Sequence, residues 1–441
     1  MLNLDVVYLA TICLLTSLYP DWVSISLQRT KNDDEYRKQK KENCSTMKIC
    51  MLAYSFYDND ARVRRYAEAL ARRGDHVDVF ALKIDAQQEA HEVINGVNIY
   101  RIQKRIMDEK GKLKYLCKML LFLINSSYRL AKKYVGFHYD LVHVHSLPDF
   151  EVFAAILPKI FGAKIILDIH DPVPDFFMAK FNTGENNIYI KILSFIERIT
   201  TMFADHVITV TDYWKGRIAE RSQITDNKIT VILNLPDLRV FNYRNFVKKH
   251  KSNDDFIMLY PGTLNKHCGL DIAIRAVNNV KDEIPSIKLL IYGKGGELDN
   301  LNQMVKDFGL QDIVLFFDVV PLESIPKIMC DADIGIALLA GHNEYSQQAL
   351  NVKLFEFLSM GLPAIATRTK SIEYYLNEGT VMLSNPNDPA DVARCIRQLY
   401  LNPSKRYELT EKGLSFIKTN NSEYQLSRYL RIVDNLVNKI Y

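Results

Sequence analysis

Apolar residues gather into short runs that alternate with stretches of helical spacing, beginning at residue 47. Lys48–Tyr54 is a short apolar run, Ala61–Arg73 places Val63, Tyr66, Ala67 and Leu70 at helical spacing, Gly74 stops that helix, and His76–Leu82 alternates as a strand. The same order returns at Phe256–Tyr260, Leu270–Val280 and Ile287–Tyr292, with Pro261-Gly262 turning the chain after the first of these strands. Two such starts predict two parallel sheets, each with a switch point beyond its strand ends where ligands bind. Leu141–Val144, Lys164–Ile169, His206–Val210 and Ile229–Leu233 extend the first sheet; Ile313–Phe317, Asp333–Leu338, Pro363–Thr367 and Thr380–Leu383 extend the second. Runs apolar on both faces suit buried parallel strands. The predicted fold is α/β, two facing doubly wound domains with a cleft between them.

Breaks in the pattern divide the chain. The expected organisation is an N-terminal extension over 1–46, an N-terminal domain over 47–237, a linker over 238–255, a C-terminal domain over 256–420, and a last helical segment over 421–441 that packs back on the N-terminal domain. The linker expectation rests on Asn234–Asp255, which is polar, lacks periodicity and contains Lys248-Lys249-His250-Lys251-Ser252. In the extension, Val6–Tyr19 is nearly all apolar but shorter than the roughly 20 residues a membrane helix needs. It also lacks the basic start and small-residue cleavage site of a signal peptide, and a charged stretch, Arg29–Glu42, follows it. Two readings stay open. Either the extension is no part of the working protein, which then starts at Met47, or Val6–Leu27 inserts and the basic residues after it hold the body on the cytoplasmic side.

Composition narrows the class. A length of 441 residues implies two or three domains, and 48% hydrophobic with 24% charged residues excludes disordered, collagenous and coiled-coil chains. Lys+Arg number 56 against 52 Asp+Glu, so a net charge of +4 gives no argument for a nucleic-acid partner. The seven cysteines are odd in number and scattered, without the spacing of a zinc knuckle or redox pair, which fits a reduced body facing the cytoplasm.

Candidate chemistry begins with Gly293-Lys294-Gly295-Gly296, which follows a strand and precedes a helix. A dinucleotide fingerprint needs a third glycine at 298, where Leu298 stands, and Met51–Asp60 after the first strand contains no glycine, so nicotinamide chemistry is not expected. The glycines can still bring backbone amides close to a phosphate or sugar, or simply turn the chain. The most informative stretch is Asn351-Val352-Lys353-Leu354-Phe355-Glu356, a helix start that runs to Gly361 and Pro363 and straight into a strand. Lys353 and Glu356 share a helix face in the first turn: the cation suits a diphosphate, the carboxylate suits vicinal ribose hydroxyls. The plain alternative is an exposed ion pair.

These residues carry a resemblance. The 351–367 segment resembles the signature of family 4 retaining glycosyltransferases of the GT-B fold, with two Rossmann-like domains, and the likeness extends over almost all of 47–441. Asp140-Leu141-Val142-His143-Val144-His145, Leu167-Asp168-Ile169-His170-Asp171, Val231-Ile232-Leu233-Asn234, Tyr260-Pro261-Gly262-Thr263-Leu264 and Ile291-Tyr292-Gly293-Lys294-Gly295 are similar to the family's segments in kind and order. The resemblance, of exopolysaccharide type, implies a transferase that moves a sugar with retention from a nucleotide-sugar donor, held by the C-terminal domain, to a polysaccharide, glycolipid or lipid-linked acceptor held by the N-terminal one. It implies catalytic roles for His170, Lys353 and Glu356. Donor contacts would come from Gly262, Thr263, Lys266, Gly293, Gly295, Gln348, Asn351, Val352 and Leu354 together with Lys353 and Glu356. The chain departs from the family where Gln348 replaces the first of two glutamates, and where Thr263 and Cys268 replace an arginine and a lysine.

Around the cleft, His170 sits just past a strand end, where it either meets a donor sugar hydroxyl or acceptor, or is satisfied by Asp168 or Asp171. His145 and Asp171 join the acceptor side. Asp60 is an expected helix cap, and Arg62 after it meets a phosphate or is a plain surface arginine. Asp58-Asn59-Asp60 and Asp331-Ala332-Asp333 resemble metal-binding Asp-x-Asp pairs but are better read as caps and element ends, so neither metal nor other cofactor is expected. Lys112–Val135 is basic with an apolar stripe of Leu113, Leu116, Leu120 and Leu123; it packs on its own sheet or rests on an anionic membrane. The expected location is the cytoplasm, with the inner face of the cytoplasmic membrane as the surface it would meet. Two rivals remain: a nucleotide-sugar epimerase of the same fold, and a catalytically silent nucleotide-sugar-binding module.

Overall fold

The computed structural model describes residues 46–85, 87–105, 112–246, 255–340, 344–377 and 379–438. Residues 1–45 of the expected extension and Lys248–Ser252 of the expected linker lie outside the described residues. The described residues pack as two compact units: one takes in 46–57 with those of Ala67–His143 and Ala154–Lys164, the other Asp58–Tyr66, Val144–Phe153 and the described residues from Ile165 on.

Eight strands form one sheet: β1 (Lys48–Ala53), β2 (His76–Lys83), β3 (His91–Ile94), β4 (Val97–Lys104), β5 (Leu141–His145), β6 (Lys164–Ile169), β7 (His206–Thr209) and β8 (Ile229–Val231), in the order β3-β4-β2-β1-β5-β6-β7-β8. β1 pairs parallel with β2, β2 with β4, β6 with β7 and β7 with β8. Within the first unit, helix α1 (Ala61–Arg73) contributes its second half and α2 (Lys112–Gly136) packs on β4. The inner face of α2 is Phe122, Ser126 and Leu130, all fully buried, whereas Leu116 and Leu120 of the predicted stripe are each 44% exposed. The stripe that packs is thus offset from the predicted one. Periodicity alone cannot choose between two apolar stripes on one helix.

Antiparallel β3, at the edge, was not predicted. It turns into β4 through Asn95 and Gly96, at φ 51° and 81°, the left-handed pair that a tight hairpin turn requires. Its residues are exposed or half-buried, so no apolar run marks it.

Six strands form the second sheet: β9 (Phe256–Pro261), β10 (Ile287–Tyr292), β11 (Val314–Phe317), β12 (Ile334–Ala337), β13 (Ala364–Thr367) and β14 (Met382–Ser384). The order β11-β10-β9-β12-β13-β14 is the doubly wound 3-2-1-4-5-6 arrangement, and every pairing is parallel. Helix α3 (Leu270–Val280) covers one face, burying Ile274, Ala276, Val277 and Val280 against Met258, Ile287, Leu289 and Ile334. On the other face Leu354, Phe355, Phe357 and Leu358 bury against Leu259, Ala337, Ala364 and Ala366. Each large side chain so buried contributes roughly 1.5–3 kcal/mol. The fold is therefore the predicted α/β one, built on two doubly wound sheets.

The C-terminal helix, here α6 (Ser422–Val437) after α4 (Glu344–Gln348) and α5 (Val352–Ser359), is capped by Asn421, whose side chain accepts from Tyr424 N at 2.9 Å. Its Tyr429 is fully buried and stacks on the Tyr66 ring of α1 at 4.0 Å.

Candidate functional site

All the predicted site residues fall in the second compact unit, in two clusters. The first lies at the carboxyl end of β9, the switch point of the second sheet, where the connections to β10 and β12 diverge. Beyond β9 and β10 the two loops run side by side: Gly262 N donates to Tyr292 O at 2.9 Å and Leu264 N to Lys294 O at 3.0 Å. At φ +151°, Gly293 touches the Gly262 carbonyl so closely that a Cβ there would collide with it, and a Cβ on Gly295 would strike the Leu264 backbone. Packing of loop on loop therefore accounts for both glycines. Gly293→Ala is expected to cost about 1–3 kcal/mol through forced overpacking, read as a lowered melting temperature; a parent-like melt would show that the loops separate freely.

Gly262 has a different reason. A Cβ at this position would lie 2.8 Å from Lys353 Nζ, so the glycine opens the space the ammonium occupies. Lys353 opens helix α5, where the Asn351 side chain accepts from its N–H at 3.2 Å, and its Nζ lies 3.7 Å from the centre of the Tyr260 ring. Leu354 is core, with its N–H on Asn351 O at 3.0 Å, and Val352 is half-buried. Leu354, Phe355, Phe357 and Leu358 fix the helix on the sheet, which leaves Lys353 and Glu356 half-buried on its other side. Burial lowers the Lys353 ammonium to about 8, against the opposing pull of Cys268 and Glu356. Burial likewise raises the Glu356 carboxyl to about 7, with Lys353 pulling the other way. Both charges are held at a desolvation cost that a complementary ligand would relieve.

Around them the polar groups are uneven. Burial tends to raise the Cys268 thiol, but hydrogen bonding from His267 and Tyr260 and the Lys353 charge bring it down to about 6. Its sulfur lies 4.0 Å from Thr263 Oγ1. Thr263 and Lys266 are exposed. Gln348, on α4, is only 4% exposed; its Nε2 donates to Glu344 Oε2 at 3.1 Å, while its Oε1 is buried with no hydrogen-bond partner. An acceptor buried in this way invites a hydroxyl.

The second cluster stands at the end of β6. Asp168 is fully buried, and Arg62 grips both its oxygens, Nε to Oδ2 at 2.8 Å and Nη2 to Oδ1 at 2.9 Å. The third arm of that guanidinium donates to Ile232 O at 3.1 Å. Arg62 is 3% exposed, so it is neither a surface arginine nor open to a phosphate. Both readings of it fail for one reason: a buried carboxylate 106 residues away claims it. Burial pushes Asp168 up, yet Arg62 and then His170 and His145 hold it well below the usual carboxylate range. His170 Nε2 lies 3.1 Å and His145 Nδ1 3.5 Å from Asp168 Oδ2. Burial also lowers the His145 imidazolium, opposed by Asp168, and His145 is 2% exposed. The His170 side chain is 24% exposed, so of the two rings it is the one a substrate can reach. Asp60 does cap α1, its Oδ1 accepting from Val63 N at 3.0 Å.

Asp171 reaches from this cluster to the first. The Tyr345 hydroxyl of α4, three residues before Gln348, donates to Asp171 Oδ1 at 2.7 Å, and its ring stacks on Trp214 at 5.6 Å. In each Asp-x-Asp pair one carboxylate oxygen is engaged by backbone: Asp60 Oδ1 accepts from Val63 N at 3.0 Å and Asp333 Oδ2 from Ile257 N at 2.8 Å. Among the described residues His143, His145 and Asp168, all buried, offer ligand atoms within 4.8 Å of one another, with both Asp168 oxygens already bonded by Arg62. Sequence reasoning missed Tyr260, Tyr345 and the anchoring role of Asp168. For the contact of Asp168 with His170 a signal existed, because the two stand two positions apart across the end of β6.

Two family models meet on this chain. Glycosyltransferase Family 4 matches residues 61–239, and Glycosyl transferases group 1 matches residues 242–416. The chain belongs to the family 4 glycosyltransferases. Among curated relatives, this glycosyltransferase is 20% identical over 79% of its length to the chitobiosyldiphosphodolichol beta-mannosyltransferase of Candida albicans, covering 80% of that protein. It is 26% identical over 65% of its length to the putative glycosyltransferase EpsD of Bacillus subtilis, covering 74% of it. Sucrose-phosphate synthase from Thermosynechococcus elongatus superposes with a TM-score of 0.71 at 18% identity, covering 88% of this chain and 99% of that one. Anabaena HepE, solved with UDP-glucose, gives a TM-score of 0.65 at 14% identity over 88% and 100%. These structures share the GT-B fold.

Proposed function

We propose that this glycosyltransferase moves a sugar, with retention and without a metal, from a nucleotide-sugar donor to a polysaccharide, glycolipid or lipid-linked acceptor. The observation that carries the reading is the Lys353 ammonium poised above Tyr260 in the space left by Gly262, one helical turn from Glu356. In transfer the anomeric carbon becomes oxocarbenium-like while the departing diphosphate gathers charge. Lys353 would meet that charge, Glu356 would accept from the donor ribose, and Gln348 Oε1 from a sugar hydroxyl. His170, oriented by Asp168, would hold a donor or acceptor hydroxyl at the reacting face. The neighbour solved with UDP-glucose supports testing UDP-sugars first, and the relative whose name carries a diphosphodolichol supports trying a lipid-linked acceptor.

The test is turnover of a panel of nucleotide sugars, with product anomers read by NMR. The expected product keeps the donor's anomeric configuration, and EDTA leaves the rate unchanged because Lys353 does the work of a divalent ion. An inverted product refutes retention. Activity lost to EDTA and restored by magnesium or manganese refutes metal independence. A binding but inert protein makes it the silent module, and sugar-nucleotide isomerisation without an acceptor makes it an epimerase.

A further inference from the structure

Helix α2 carries six basic residues and no acidic one across its 25 positions. Among the described residues no helix is long and apolar enough to cross a membrane, and α2 is no exception. At 3.6 residues per turn its side chains divide into three sectors. The sector of Phe122, Ser126 and Leu130 is buried, and Gln103 Nε2 pins this side by donating to Lys118 O at 2.9 Å. The second sector spans roughly 120° of the circumference. There Leu116, Leu120, Ile124 and Tyr128 form one i, i+4 row, 44%, 44%, 63% and 46% exposed. The third, the next roughly 60°, carries Lys114, Arg129 and Lys132, all exposed. Lys133 is spent elsewhere, its Nζ 2.6 Å from Asp78 Oδ2.

A helix that serves only its own core puts its large apolar side chains inward; this one shows a second apolar row, edged with cations, to the outside. We propose that this face docks α2 on an anionic lipid surface, the row of Leu116, Leu120, Ile124 and Tyr128 entering the headgroup boundary and the basic edge meeting lipid phosphates. Charge selects this occupant. A second copy pairing through the same face would set two purely basic edges together, whereas anionic lipid offers the missing opposite charge. The docking stands by itself; only its purpose, bringing the active site to a lipid-linked acceptor, rests on the proposed activity.

The experiment is co-sedimentation of the full chain with vesicles of phosphatidylcholine alone and of phosphatidylcholine with phosphatidylglycerol. Binding at least tenfold tighter to the anionic vesicles, weakening as salt rises, is expected. Leu120→Gln with Ile124→Gln should weaken it about tenfold or more, and Lys114→Gln with Lys132→Gln roughly fivefold for each charge, with melting temperatures unchanged because these side chains are exposed. Equal binding to both vesicle types, or variants that bind like the parent, overturns the proposal. Self-association that Ile124→Gln abolishes, without vesicle binding, overturns it in favour of a second copy. Vesicle binding without sugar transfer keeps the docking and sinks the transferase reading; transfer to a soluble acceptor without vesicle binding does the reverse.

Discussion

Lys353→Met is expected to lower kcat/KM by about 10²–10³-fold and to erase the alkaline limb of its pH profile. The magnitude follows from removing one cation preorganised in a partly desolvated site, where it opposes the charge gathering on a leaving diphosphate. The pH dependence follows from the two shifted groups. Burial holds Lys353 down to about 8 and Glu356 up to about 7, so the competent pair, ammonium with carboxylate, is most populated between those values. Below the window Glu356 is protonated and cannot accept from two hydroxyls; above it Lys353 loses its charge. For the free enzyme, kcat/KM should therefore be bell-shaped with a narrow optimum. Glu356→Gln should remove the acid limb and Lys353→Met the alkaline one. A flat profile between pH 6 and 9 for the parent, or Lys353→Met activity within a few-fold of it, would falsify the assignment.

The largest structural effect should come from Asp168→Ala, at about 3–5 kcal/mol. Arg62 is nearly water-free, and two of its three bonded arms end on Asp168. Removing the carboxylate leaves a buried guanidinium with one carbonyl, which costs far more than the pair was worth. Arg62→Met with Asp168→Leu should recover much of the loss, because an apolar pair carries no stranded charge. The sign with pH is fixed by the depressed carboxyl. Its stabilisation is fully present above the unfolded value of about 3.9 and is lost as pH falls through the folded value. The gap between parent and Asp168→Ala should thus stay constant from neutral pH to about 5 and close only in stronger acid. Denaturant melts across that range check it; a variant as stable as the parent at pH 7 means the ion pair is incidental.

How far the sequence could be read depended on whether a feature is local. Leu270–Val280, Ile287–Tyr292 and Lys164–Ile169 were legible to the residue, since apolar runs and helical spacing are properties of neighbours. So was the coupling of Lys353 with Glu356, three positions apart on one helix. The β3–β4 hairpin lacked an apolar run, and only the Asn95-Gly96 pair marks it. Arg62 was misread because its environment is tertiary: nothing near it in the chain announces a buried carboxylate in β6. The outward row on α2 was half legible, since the stripe was visible but not the side it would face.

The stacking of Tyr429 on Tyr66 bears on how the molecule is made. Tyr66 lies one turn from Arg62 on α1, so the helix that anchors Asp168 is itself roofed by a side chain translated more than 350 residues later. During synthesis, at roughly 5–20 residues per second, that stretch of α1 waits tens of seconds with an aromatic ring uncovered. The last helix acts as a clasp on the early part of the chain, and a polypeptide ending before Ser422 would leave the Tyr66 ring uncovered and open to chaperones and proteases.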